Sequence, residues 1–172
     1  STGSISVAGE LVYDFIMTNR DFQVPNTLYP DGAINEIETA HHHLNDNSLL
    51  NAIELTGSAS DGQIIAFRAE NGNDGLWGQG SDPVTISQTS GSSVAPLDVS
   101  QSYVEIVTHS DGYDDVVVNW MFDVNWNWDD VESIRWVSTA LDENGEFVWP
   151  AVSLSGQGSS KAVENDLQID SF

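Results

Sequence analysis

The 172-residue chain has no cysteine and only four basic residues, Arg20, Arg68, Arg135 and Lys161. Without cysteine it can form neither a disulfide framework nor a thiolate zinc site, so its stability must come from packing or from cations bound through oxygen. Against the four basic residues stand 27 acidic ones, and a formal charge of −23 repels phosphate backbones and anionic lipid headgroups alike. Nucleic acid and acidic membranes are excluded as main partners. No apolar run approaches the ~20 residues that span a bilayer, and Ser1 opens a polar stretch with neither a basic n-region nor an apolar h-region. The expectation is a soluble chain, mature or excised from a larger protein, with no membrane insertion.

What is present is enough to fold. Hydrophobic residues make up 40% of the chain, with six Trp, four Tyr and six Phe, too apolar a composition for a disordered polymer despite the charge. Its length suits one domain over residues 1–172, with a core that buries roughly two thirds of the unfolded surface. Period-two alternation dominates: Ile5, Val7, Leu11, Tyr13 and Phe15 take one face, and Ser6, Glu10 and Asp14 the other. The same pattern predicts strands near Leu49 to Leu55, Ile64 to Phe67, Val84 to Ile86, Tyr103 to Thr108, Val116 to Val124, Ile134 to Thr139 and Phe147 to Leu154. Short strands spaced by Gly, Asn, Asp and Ser predict an all-β, antiparallel β-sandwich of jelly-roll-like form, with long Asp/Asn/Gly-rich loops. Between Asp31 and Asn45 the spacing of Ile34, Ile37, His41 and Leu44 fits a short helix or ordered loop as well as a strand. Ser87 to Ser100, rich in Ser, reads as a long surface loop.

The acidity is the first clue to function. A compact chain this negative repels itself unless cations neutralise it, either as calcium ions held by six to eight oxygens or as a diffuse hydrated shell of the halophilic kind. Calcium requires clustering, and 17 of the 27 acids are Asp, set among Asn and Gly in short runs. The candidate metal-binding loops hold Asp31 and Glu36; Asn45, Asp46 and Asn47; Glu70, Asn73 and Asp74; Asp111, Asp114 and Asp115; the run from Asp123 to Asp130, with Asp129; and Asp142 with Asn144. None matches an EF-hand loop, and each alone is also ordinary turn vocabulary. Together they carry two to four oxygen donors apiece, more than a turn needs.

Glu70 to Gln79 is the most specific of these loops. Its glycines permit positive φ and close backbone approach, its acids and amides suit a hard cation, and Trp77 and Gln79 are candidate ligand contacts. Trp77 has a second reading as a plug at the open end of the sandwich. Past the alternating run of Val116 to Val124, Trp126 and Trp128 could stack on a sugar ring or cover a peptide, or pack in the core. His41, His42 and His43 do not make a zinc site, since adjacent side chains on a regular element point apart. There is no G-x-S-x-G, cysteine nucleophile or phosphate loop, so no enzyme is expected.

The Asp/Asn/Gly loops, single Lys and absent Cys on a β-strand chain resemble the extender and ligand-binding modules of large calcium-dependent bacterial adhesins of the repeats-in-toxin type. Within that group the chain looks most like the calcium-dependent peptide-binding module near the adhesin tip, although it carries no G-G-x-G-x-D nonapeptide. The resemblance implies a secreted, cell-surface β-sandwich whose bound Ca2+ rigidifies loops and coordinates part of a peptide or carbohydrate ligand. Two alternatives stand beside it. One is a subunit of an extracellular filament or tubule, self-associating through edge strands, with Ser4 to Phe15 donated to a neighbour. The other is a halophilic secreted domain with a diffuse cation shell.

Overall fold

The computed structural model describes residues 10–13, 34–43, 46–108, 110, 112, 114–125, 128, 134–144 and 151–156, with the backbone alone at 10–13 and 151–156. The strands are β1 (Glu10–Tyr13), β2 (Asn35–His41), β3 (Leu50–Ala59), β4 (Ile64–Glu70), β5 (Thr85–Ser90), β6 (Tyr103–Thr108), β7 (Asp114–Phe122), β8 (Ile134–Asp142) and β9 (Ala151–Gly156). They form two antiparallel sheets, one ordered β1-β8-β3-β4-β5 and the other β6-β7-β2-β9. Among the described strands, the β3-β4-β5 meander and the β6-β7 hairpin stay within a sheet, and each other pair of consecutive strands is divided between the two sheets. This is the expected all-β sandwich. Among the described residues no helix is long and apolar enough to cross a membrane.

Alternation places the core. From β7, Val116, Val118, Trp120 and Phe122 face inward, and they meet Ile53 and Leu55 of β3, Ile65 and Phe67 of β4, and Ile134 and Trp136 of β8, all buried. Four rings form the centre: Phe67 lies 5.9 Å from Trp120 and 5.4 Å from Phe122, and Phe122 lies 5.9 Å from Trp136, within the range of favourable ring pairs. Gly57 makes room for Trp136, because a Cβ there would stand 2.7 Å from the indole.

The open segment from Asp31 to Asn45 resolves, over Asn35–His41, into a strand. Asn35, Ile37, Thr39 and His41 alternate inward opposite Phe122, Trp120, Val118 and Val116, so the near-helical spacing of Ile37 and His41 yields to cross-strand pairing. Ser87 to Ser100 is not wholly loop. Ser87 through Ser90 complete β5, and beyond it Val94 and Ala95 are buried while Leu97 bridges to Phe122. Gln88 holds this return segment, its amide donating to the Ala95 carbonyl and its oxygen accepting from Leu97 N–H. Glu10–Tyr13, part of the stretch read as a donated strand, pairs with Trp136 to Thr139 of the same chain.

Candidate functional site

The register sends most of the acidic loops to one end of the sandwich. There β2 ends at His41 opposite Val116, and β6 turns into β7 between Thr108 and Asp114. At the same end β3 begins where Leu50 faces Asp142, and β4 ends where Ala52 faces Glu70. Three hydrogen bonds centre on Asn47, two of them joining different loops. The Asn47 side-chain amide donates to the Asp114 carbonyl, Asn47 Oδ1 accepts from His43 N–H at 2.8 Å, and the Asn47 carbonyl accepts from the Trp77 indole N–H at 3.0 Å. The β2–β3 connection, the β4–β5 loop, the β6–β7 hairpin and the end of β8 thus converge, and with them Asp46, Glu70, Asn73, Asp74, Asp114, Asp115, Asp142 and Asn144.

Local chemistry explains the loop conformations. Aspartates 46, 61, 74, 98 and 142 each accept a backbone N–H two residues on, at 2.8, 3.0, 3.0, 3.0 and 2.8 Å, in the Asx-turn geometry these side chains favour. Asp74 also accepts Asp82 N–H at 2.9 Å, closing the β4–β5 loop on itself. The Asp82 and Leu76 amides hold the Asp74 carboxyl below its ordinary range, and the Ser48 amide and hydroxyl do the same for Asp46. Both are therefore fully charged at neutral pH. Gly72 and Gly80 permit the close turn, since a Cβ on either would lie 2.6 Å from Asp82 or 2.1 Å from the Asp74 carboxylate.

Trp77 is buried and takes a left-handed backbone (φ 49°), a costly conformation for a bulky residue. Two bonds hold it there: its N–H donates to Asn71 Oδ1 at 2.9 Å, and its indole donates to Asn47. The ring plugs the end of the core, and the loop instead exposes Leu76 (52%) and Gln79. Trp128 is likewise buried, its indole donating to Asp61 Oδ2 at 2.8 Å at the opposite end. The strand pattern read through to it stops at Phe122.

Other expected site residues are dispersed or already partnered. Glu36 lies on β2 opposite Met121, away from the acidic end. Glu70 accepts from Arg68 Nε at 2.6 Å, and Asp115, buried, pairs with His42 Nδ1 at 2.8 Å. Asn73, Asp114 and Asn144 are exposed. Asp31, Asp111, Trp126 and Asp129 lie outside the described residues.

The three histidines part as adjacency requires. His41 points into the core with Nε2 2.6 Å from Ser138 Oγ, His42 points outward to Asp115, and His43 turns back so that its Nδ1 accepts Asp46 N–H at 3.4 Å. The sequence places Asn47 in a candidate loop but gives no sign of its role as the hub of the loop end, because nothing distinguishes it from any turn asparagine. Among the described residues no three His, Asp or Glu side chains converge on one ion position. An ion at this end must therefore also draw on Asn amides, carbonyl oxygens or water, all ordinary calcium ligands. No family model, curated protein or solved structure matches the chain.

Proposed function

We propose that the chain is an extracellular, adhesin-type binding module whose loop end takes up calcium and, with it, a peptide or glycan. The observation that carries this reading is the convergence, by strand register, of separate acidic loops on one end of the sandwich. Asx turns alone do not require such convergence. Spread around the barrel of the sandwich they would form equally well, whereas gathered at one end they add mutual repulsion that only a cation relieves. Asp74, Asp142, Asp114, Asn73 and Asn144 supply oxygens there, and binding draws the loops together. Exposed Leu76 and Gln79 provide the neighbouring contact surface, with an open coordination position for a ligand carboxylate or vicinal hydroxyls.

Calorimetric calcium titration tests the proposal. Saturable binding is expected in wild type, and Asp114→Ala, an exposed change, should weaken it at least about tenfold, equivalent to about 1.4 kcal/mol. Absence of saturable heat at millimolar calcium would refute it.

A further inference from the structure

Of the outer edges of the two sheets, β5 and β6 border the same side of the sandwich, and they differ. The β5 edge is blunted: its pairing with β4 is irregular at Ala66/Phe67, and the Thr89 and Ser90 hydroxyls turn back onto the Ala66 and Ile64 carbonyls. The β6 edge carries no such device. Tyr103–Thr108 (YVEIVT) pairs with β7 over its whole length without a bulge, and holds neither proline nor lysine. Just before it, the return segment lies beside β7, with Asp98 N–H donating to the Met121 carbonyl and the Ser102 hydroxyl donating to the Asp98 carbonyl. Among the described residues that cover ends at Ser102. Among the described residues nothing pairs with the outer side of β6. A regular strand of β-branched and aromatic residues in this position is a template for another strand.

The side chains beside that edge specify what would pair with it. Val104 and Ile106 sit at the rim of the core, partly buried and packed against it. On the solvent face Tyr103 and Val107 are exposed (47% and 37%), with exposed Glu105 between them. By register Tyr103, Asn119 and Glu38 share one row across the sheet, and partial burial with the charges of Glu105, Glu36 and Glu38 raises the Tyr103 hydroxyl above its ordinary range. A second copy of the chain would bring another −23 charge and a second Glu105 to this edge. A cationic partner meets no such repulsion. We infer that the β6 edge takes up, as an added antiparallel or parallel strand, an extended peptide that alternates apolar and Lys/Arg residues. Its apolar side chains extend the rim at Val104 and Ile106, and its basic ones lie beside Tyr103, Glu105 and Val107.

The β6 edge meets the loop end only at Thr108 and uses none of the oxygens assigned to calcium, so it is tested in chelator, where it stands or falls independently of calcium. The probe is a capped peptide of four Val-Lys repeats, with binding followed calorimetrically and by amide hydrogen exchange. Saturable binding is expected, with new protection confined to the Tyr103–Thr108 amides. A peptide of the same composition in two blocks, four Val then four Lys, should bind at least about tenfold more weakly, as should a repeat peptide N-methylated at alternate residues. Glu105→Lys should weaken the repeat peptide by a similar factor with an unchanged melting temperature. Equal binding of the block peptide would reduce the effect to charge attraction and overturn the inference. Absence of binding, protection elsewhere, or β6 protection arising from self-association without peptide would overturn it too.

Discussion

Acid should destabilise the native state through His41 well before the carboxylates respond. The imidazole is buried, one nitrogen bonded to Ser138 and Nδ1 without a partner, and its pKa is lowered from 6.5 to about 4. Loss of solvation is the main cause; the charge of Asp115 opposes it and His42 adds to it. Above pH 6.5 the ring is neutral folded or unfolded and contributes no pH dependence. Between pH 6.5 and 4 the unfolded chain binds a proton that the folded chain refuses, so stability falls as pH falls. Linkage with these two values gives a loss of about 1.4 kcal/mol at pH 5.5 and about 3 kcal/mol at pH 4. The carboxyls of Asp46, Asp74 and Asp98 lie below their ordinary 3.8, so their contribution is retained through this window and lost only beneath it. Urea denaturation of wild type and His41→Gln from pH 7.5 to 4 isolates the effect, because the amide does not titrate. The difference between the two proteins should change by the stated amounts. Parallel curves for the two, or a His41 ring titrating near 6.5 by NMR, would refute the argument.

Trp77→Ala should cost about 3–5 kcal/mol for the cavity left by a buried indole, read from denaturation midpoints. Trp77→Gly should be more stable than the Ala variant by about 1 kcal/mol, reversing the usual order, because φ is 49°. Gly57→Ala should cost about 1–3 kcal/mol by forcing a Cβ against Trp136, with a lowered melting temperature as the readout.

The fold was legible where alternation was unbroken. Tyr103 to Thr108 is the strand its pattern predicts, with Val104 and Ile106 toward the core, and Val116 to Phe122 alternates inward as expected. Asn35–His41 was ambiguous because Ile37 and His41 satisfy both periods, and only pairing with β7 separates them. The ends of strands were less legible, since tertiary pairing carries β3 and β8 on to Ala59 and Asp142. The acid-rich loops were visible one by one, but their gathering depends on which strands are neighbours, information no local pattern holds. Trp77 shows the same limit. Its Gly, Asn and Asp surroundings fit a projecting ring as well as a plug, and the plug is decided by Asn71 and Asn47, six and 30 residues away, which hold it inside.

Thermal unfolding in chelator and in millimolar calcium, at matched ionic strength, shows whether the loop end holds calcium. An ion that binds the native state alone adds about 2.7 kcal/mol at 100 times its dissociation constant. The melting temperature should rise by several degrees in calcium and not in an equal ionic strength of sodium. Superimposable curves in chelator and calcium would contradict it.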